Sequence, residues 1–178
     1  KKYNMIVLIS EFIVPMRAVY NLSNAIYDFA KKKKVKQIIS LGAIVQKGKD
    51  PKKVFAVASD LQLLKKLEKH KKIELVKEGV TTGVTGVLLA RGAIEKFPVI
   101  SLLAQATADY MDPRASASVL EVLKDHLNLK SLDVKALEKE AHEVEAKMKE
   151  LISKAKANQE HYNKTAKDSV SDFDTMYG

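Results

Sequence analysis

Four short, nearly continuous apolar runs dominate the pattern of the chain. They occupy residues 5–9, 38–45, 54–58 and 99–104. Continuous rather than alternating apolar residues are typical of strands buried on both faces, as in a parallel sheet covered by helices. Segments with helical periodicity separate most of these runs. The pattern therefore predicts an α/β fold with a mostly parallel central sheet flanked by helices.

The first helical segment spans residues 17–33 and ends in a run of lysines at 31–34. A helix carries the negative end of its dipole there, so the lysines favour a helix that ends at this point. Apolar residues at spacings of three and four predict one buried face. Its members are Ala18, Leu22, Ala25, Ile26 and Phe29.

Three further helices are predicted before residue 130. One starts near Leu61, where Ser59 and Gln62 have the spacing of a capping box. Another covers residues 84–95. The last begins at Pro113, after Asp112 as the N-cap. Its buried face is predicted to consist of Leu120, Leu123 and Leu127.

The last quarter of the chain has a different pattern, with apolar residues at alternating steps of three and four. They are Val134, Leu137, Ala141, Val144, Met148, Leu151 and Ala155. This spacing predicts either a coiled-coil seam of about three heptads or an amphipathic helix lying on the parent domain. Beyond it, residues 156–173 turn polar and are expected to form an exposed arm. We therefore expect an α/β core domain at 1–130 and a C-terminal helix and tail at 131–178.

Charge is unevenly distributed along the chain. The formal net charge is +9, from 31 Lys+Arg and 22 Asp+Glu. The excess lies within the first 80 residues, mostly as short lysine runs, and only three residues of the chain are arginine. A base-reading protein usually offers more arginine, because guanidinium recognises guanine and phosphate bidentately. A solvated lysine-rich surface is therefore favoured over a nucleic-acid interface.

Glycines are concentrated just before the third predicted helix. Gly79, Gly83 and Gly86 form a glycine segment (residues 79–86), and Gly92 follows within the helix. Free N–H groups at a helix start can hold an anion. Neither a Walker-type loop nor a dinucleotide fingerprint is present, however. A tight turn with close helix packing is the favoured interpretation, and an anion site is the alternative.

Other candidate chemistry is sparse in the sequence. The four histidines, at 70, 126, 142 and 161, lack metal-ligand spacing, and the chain contains no cysteine. The absence of cysteine excludes thiol catalysis, cysteine-bound zinc and iron–sulfur clusters. It also fits a reducing cytoplasm and, with abundant lysine and glutamate, a thermophile. No stretch is long enough to span a bilayer. We expect no enzyme, no catalytic residue, no cofactor and no metal.

The chain ends in Met176, Tyr177 and Gly178. This ending resembles the HbYX tail of proteasome activators, which is a hydrophobic residue, a tyrosine and any residue with a free carboxylate. In that family the tail enters a pocket between adjacent α-ring subunits of the core proteasome. A terminal carboxylate can make charge-assisted contacts, and tyrosine is a low-entropy anchor. We call these three residues the C-terminal tail.

Residues 5 to about 150 resemble the proteasome-assembly-chaperone family, in particular its archaeal PbaA- and PbaB-like members. Three stretches carry the resemblance, at residues 36–42, 78–89 and 110–115. The second, containing Gly-Val-Thr-Thr-Gly-Val-Thr-Gly, is the most distinctive. Two departures are present. The strand–helix unit with which family members usually begin is lacking, and Gln105 stands where the family often has Glu.

The resemblance implies a nucleoside-phosphorylase-like α/β fold in a cytoplasmic homo-oligomer, a tetramer or pentamer. It implies ATP-independent binding to core proteasome α subunits, as an assembly chaperone or as an activator, with no nucleic acid or membrane as partner. The pocket role carries over only to Met176, Tyr177 and Gly178. The alternative is an anion- or nucleoside-binding enzyme of phosphorylase-like fold that uses the loop from Gly79 to Gly86. Because the chain begins at Lys1 rather than Met, part of the natural protein is expected to precede it.

Overall fold

The computed structural model describes residues 3–45, 53–76, 78–106, 113–135, 139, 142–144 and 146–155. The helices and strands of these residues follow one another along the chain. They are α1 (Met16–Lys32), β1 (Ile38–Val45), β2 (Val54–Ala58), α2 (Leu61–Leu67), β3 (Ile73–Leu75), α3 (Gly83–Ile94), β4 (Val99–Ala106) and α4 (Pro113–Leu127). Beyond α4, helical backbone is present at residues 134–135, 139, 142–144 and 146–155.

The chain forms two compact units. The first comprises Lys1–Ile44 and Lys53–Ala104, and the second comprises Val45–Lys52 and Gln105–Gly178. The first unit therefore contains α1, α2, α3 and nearly all of the sheet. The expected domain boundary at residue 130 stays a prediction.

The sheet has four strands in the order β1-β4-β2-β3. β2 is parallel to β3 and antiparallel to β4. β1 and β4 run in the same direction. At the start of both strands the Ile38 N–H donates to the Pro98 carbonyl at 3.0 Å. Four residues further along each strand, Gly42 lies against Leu103. The predicted α/β fold with a mostly parallel sheet flanked by helices is confirmed, and so are the bounds of the strands β1 and β2.

The predicted strand at residues 5–9 is wrong for this structure. This N-terminal apolar segment has no strand structure, and its side chains are exposed. A strand needs a neighbour for its backbone N–H and C=O groups, and no strand among the described residues pairs with the segment. An apolar run shows that a segment is suited to a strand, but the strand forms only where another strand lies beside it.

Helix α1 packs against α3 through a face shifted from the predicted one. Its buried residues are Val19, Ser23, Tyr27 and Ala30. Ala25 and Phe29, which the periodicity placed in the core, are exposed, and the other three predicted residues are half-buried. Tyr27 lies in a core cluster with Leu88, Leu89 and Val99. The shift arises because the buried face includes Ser23 and Tyr27, which a search for regularly spaced apolar residues does not select.

The N-cap of α2 is Asp60, so the predicted capping box at Ser59 is wrong. The Asp60 carboxylate accepts the N–H groups of Gln62 and Leu63 at 2.8 and 2.9 Å. The Ser59 hydroxyl instead donates to the Phe97 carbonyl at 2.9 Å and accepts the Val99 N–H at 3.0 Å. A carboxylate that accepts two free N–H groups satisfies the helix start directly.

In the second unit, the buried residues of α4 are small or β-branched. They are Ala115, Ala117, Val119 and Val122. The predicted Leu120, Leu123 and Leu127 are only half-buried, and Asp112 lies outside the described residues. On the helical stretch that follows, Val144 and Leu151 of the predicted seam are exposed. The coiled-coil and amphipathic-helix alternatives both stay open.

Candidate functional site

The C-terminal tail, Met176, Tyr177 and Gly178, lies outside the described residues. Two other candidate regions lie among the described residues of the first unit. One is the glycine segment at the start of α3. The other is a polar cluster between α1 and α3.

The glycine segment leads into α3 through a residue with positive φ. Gly83, the first residue of α3, has a φ of 69°, a conformation that L side chains rarely adopt. The preceding Thr82 is extended, and its side chain makes no capping hydrogen bond. The first turn of α3 therefore begins without the side-chain cap that many helices have.

Two glycines of α3 allow close approach of the backbone. A Cβ at Gly86 would lie 2.7 Å from the Thr81 carbonyl oxygen. A Cβ at Gly92 would lie 2.5 Å from Val99 Cγ2 and 2.8 Å from the Phe97 carbonyl oxygen. Contacts this short do not occur for real side chains. The turn-and-packing interpretation of these glycines is thus supported by geometry.

Hydroxyl groups connect the first turn of α3 to the neighbouring elements. Ser40 of β1 and Thr85 share a hydrogen bond of 2.6 Å. The buried Ser23 hydroxyl of α1 lies 2.7 Å from the Val19 carbonyl and 3.4 Å from the Val84 carbonyl. These contacts fix the start of α3 against the sheet and α1.

A second region, the Arg91 cluster, joins α1 to α3 through one guanidinium group. Nε of Arg91 donates to Glu95 Oε1 at 2.7 Å, one turn further along α3. Its two terminal nitrogens reach α1, donating to Asn24 Oδ1 at 2.9 Å and to Asp28 Oδ1 at 2.8 Å. The guanidinium carbon lies 4.2 Å from the centroid of the Tyr27 ring. Arginine suits this position because its donors are fixed in a planar fork that can also stack on an aromatic ring.

The charges in the cluster stabilise one another. The hydrogen bond with Glu95 raises the pKa of Arg91, and the Asp28 carboxylate adds to this effect. The same hydrogen bond lowers the pKa of Glu95, against the opposing effect of burial, and the Lys31 ammonium at 3.6 Å also favours the carboxylate. Burial, followed by the negative charge of Glu95, raises the pKa of Tyr27. Glu95 is therefore held as an anion and Tyr27 as a neutral phenol.

Lysines of the first unit make surface contacts. Lys31 lies 5.9 Å from the Tyr27 ring centroid and 5.8 Å from that of Phe97. Lys33 lies over Phe29, and Lys53 forms an exposed ion pair with Glu74 at 2.8 Å. Such pairs contribute little to stability in water. These contacts are those of a solvated surface.

The part of the chain that the structure describes contains no candidate metal site. No group of three or more His, Asp or Glu side chains there could hold a metal ion. His70 uses its Nδ1 to accept the Lys72 N–H at 3.2 Å, in the turn before β3. Within the same residues, no helix is long and apolar enough to cross a membrane.

Sequence patterns did not identify the Arg91 cluster. Asn24 and Asp28 are one helical turn apart, and so are Arg91 and Glu95, which is the one local signal available. The decisive contact joins residues 67 positions apart. Periodicity within one helix cannot predict which polar side chains of two helices will meet.

The profile of the PAC2 family matches residues 1–152 of the chain. The chain belongs to the PAC2 family. The chain is 34% identical over 148 residues to an uncharacterized protein of Methanocaldococcus jannaschii, MJ0106. The match covers 83% of this chain but 60% of that relative, so the chain spans less than two thirds of the relative's length.

Solved structures of two Pyrococcus furiosus proteins share the fold. Pyrococcus furiosus PbaA, described as an archaeal homolog of proteasome-assembly chaperone, superposes with a TM-score of 0.71 at 25% identity. That superposition covers 95% of this chain and 68% of PbaA. Pyrococcus furiosus PbaB, described as an archaeal proteasome activator, gives a TM-score of 0.65 at 22% identity over 76% of this chain and 58% of PbaB. The second likeness concerns the fold alone.

Proposed function

We propose that this PAC2 chain binds the α-ring of the core proteasome through its C-terminal tail, without ATP. The observation that carries the proposal is the likeness to PbaA, an archaeal homolog of proteasome-assembly chaperone, over 95% of the chain. The sequence ending Met176-Tyr177-Gly178 adds a chemically suitable docking element. The role is that of an assembly-chaperone homologue or of an activator, and it requires no enzymatic step.

The chemistry of the tail supports a basic pocket as its target. A free terminal carboxylate can form a charge-assisted hydrogen bond with a lysine, and the Tyr177 ring can pack while its hydroxyl bonds to the pocket. Residues 131–178 carry 8 basic and 10 acidic side chains, in contrast to the lysine-rich first 80 residues. The part of the chain that approaches the pocket therefore has no excess of positive charge, so a basic pocket does not repel it.

Oligomerisation would make a weak tail effective. A cytoplasmic homo-oligomer of four or five chains presents several identical tails to a ring of related pockets. Where the geometry allows simultaneous binding, avidity can exceed the affinity of one tail by ~10²–10⁴. The helical residues 146–155, most of which are exposed, precede the tail and offer a spacer of regular rise.

The test compares variants of the full chain for binding to purified archaeal core proteasome and for stimulation of peptide hydrolysis. Tyr177→Ala and a chain lacking residues 176–178 should both lose binding, since each removes an anchor. Tyr20→Ala is the matched control, because Tyr20 is an exposed tyrosine on α1. Unchanged binding by both tail variants would contradict the proposal.

Hydrolysis separates the two possible roles. An activator raises peptide hydrolysis by assembled core particles, whereas an assembly chaperone accelerates formation of core particles from free α and β subunits. An additional residue after Gly178 should weaken binding in either case, because it displaces the carboxylate from the tyrosine.

The alternative, an anion- or nucleoside-binding enzyme that uses the loop from Gly79 to Gly86, has weaker support. Close backbone contacts account for Gly86 and Gly92 without a ligand. Among the residues that the structure describes, the uncapped start of α3 agrees with it. Saturable phosphate binding by the folded chain would favour this alternative.

A further inference from the structure

Lys31, in the last turn of α1, lies beside two aromatic rings and a carboxylate of the first unit. Its Nζ is 5.9 Å from the ring centroid of Tyr27 and 5.8 Å from that of Phe97. The two rings meet edge to face, with their centroids 5.3 Å apart and their planes at 67°. Glu95 Oε2 lies 3.6 Å from the same nitrogen. We call Tyr27, Phe97 and Glu95 the aromatic corner.

The aromatic corner is wider than a bare ammonium group needs. The guanidinium carbon of Arg91 lies 4.2 Å from the Tyr27 centroid, which is a direct cation–π contact. The Lys31 nitrogen stays further than this from both rings. Its 3.6 Å distance from Glu95 is also longer than the about 2.7–3.2 Å of a direct hydrogen bond. The unmodified lysine therefore leaves a gap between its nitrogen and each of these neighbours.

A methyl group on the nitrogen fits the gap on the ring side. Because a carbon–nitrogen single bond is about 1.46 Å long, a methyl carbon directed between the two rings would lie about 4.6 Å from both centroids. Apolar groups are in contact at about 4.0–4.5 Å between heavy atoms. Aromatic cages recognise methylated lysine through such contacts of a cation with ring faces. An N–H group of the methylated nitrogen can still point towards Glu95.

We propose that Lys31 is a methylation site and that the aromatic corner holds its methylated form. The methyl group is transferred from a sulfonium methyl donor by a lysine methyltransferase. The lone pair of the deprotonated Lys31 amine forms the new N–C bond while the S–C bond breaks, a thioether leaves, and one proton passes to water for each methyl group. Methylation preserves the positive charge of lysine. The Lys31 side chain is 50% exposed, so this amine can be reached.

The methylated lysine joins the end of α1 to the turn before β4. Tyr27 and Lys31 lie one helical turn apart on α1, and Phe97 lies between α3 and β4. All of these residues belong to the first unit, and the proposal does not depend on the C-terminal tail. Lys33 provides a comparison within the same lysine run. Its Nζ lies 5.8 Å from the ring centroid of Phe29, which is 43% exposed.

Peptide mass spectrometry of the chain, purified from the cells that make it naturally, tests the modification. We expect one to three methyl groups on Lys31 in most copies, and fewer on Lys33. Fragment ions assign the methyl groups to individual lysines of the run 31–34. An unmodified Lys31 would overturn the proposal. Equal methylation along the whole run would also overturn it, because the rings would then not select the site.

Reductive methylation of the purified chain with ¹³C-formaldehyde and a borane reductant tests the aromatic corner itself. The methyl signal that is lost in Lys31→Arg should lie upfield of the signal that is lost in Lys33→Arg, because two rings shield the Lys31 methyl groups. Methylation should also raise the Tm of Lys33→Arg a few degrees more than that of Lys31→Arg. Coincident methyl signals would overturn the proposal, and so would equal changes in Tm for the two variants.

Discussion

The guanidinium of Arg91 lies 4.2 Å from the centre of the Tyr27 ring, and this contact joins helix α3 to helix α1. Tyr27 belongs to the buried core, whereas Arg91 is 27% exposed in its side chain. The pair therefore marks the boundary between the core and the surface network of Asn24, Asp28 and Glu95. A cation over an aromatic ring is attracted by the ring quadrupole, most strongly where water is partly excluded.

Replacement of Arg91 should destabilise the packing of α1 on α3. Arg91→Ala removes the stacking contact and all the hydrogen bonds of the guanidinium at once. Asp28 loses this cation, and Glu95 keeps the longer contact with Lys31 at 3.6 Å. We expect the Tm to fall by several degrees, and Arg91→Lys to recover only part of the loss because an ammonium cannot reproduce the fork. Thermal unfolding followed by circular dichroism measures this. Arg17→Ala, at an exposed position of α1, is the control and should unfold close to the parent.

Stability should fall in acid through the titration of Glu95. The hydrogen bond from Arg91 lowers the pKa of Glu95 in the folded chain. The folded state therefore holds the proton less tightly than the unfolded state, in which the carboxyl has a pKa of about 4.3. The stabilisation is complete above that value and disappears as the pH falls through the lower folded pKa. The free energy of unfolding, measured by urea titration from pH 7 down into the acid range, should fall in the parent protein. It should fall less in Glu95→Gln. Parallel curves for the two proteins would contradict the assignment.

Local sequence signals predicted the central elements of the fold. The apolar runs predicted the bounds of β1 and β2, because both strands are apolar at nearly every position. The lysines at 31 and 32 fall in the last turn of α1, as the dipole argument expects. Three-residue β3 escaped prediction, because a strand of Ile73, Glu74 and Leu75 is too short to show a period.

Long-range contacts were beyond the reach of the sequence patterns. The antiparallel pairing of β2 with β4 joins Val54 to Ala104, and no local feature specifies that direction. The same limit applies to the Arg91 cluster and to residues 5–9. Residues 5–9 have the sequence of a strand, but pairing depends on a neighbouring strand that the described fold does not provide. The C-terminal tail lies outside the described residues, so its role stays a prediction.

Addition of one methyl group at Gly86 should damage the fold rather than a ligand site. The new Cβ would meet the Thr81 carbonyl oxygen at 2.7 Å, and a backbone atom cannot move aside as a side-chain end can. Gly86→Ala should lower the free energy of unfolding by about 1–3 kcal/mol. Gly79→Ala is the matched control, because its Cβ would make an ordinary contact with Val76 at 3.5 Å. Denaturant titration compares the two. Equal stability in both variants would show that the glycine segment tolerates side chains, and would reopen the anion-site alternative.

The terminal carboxylate, rather than the tail sequence alone, should determine binding to the proteasome. A synthetic peptide of residues 172–178 with a free carboxylate should compete with the full chain for the core particle. The same peptide with an amidated end lacks the charge and should compete about tenfold less well or worse. One tail lacks the avidity of an oligomer, so even the free acid should bind ~10²–10⁴ more weakly than the assembled chain. Fluorescence anisotropy with a labelled full chain measures both constants. Equal competition by acid and amide would place the recognition elsewhere, because it would show that the pocket does not bind the terminal charge.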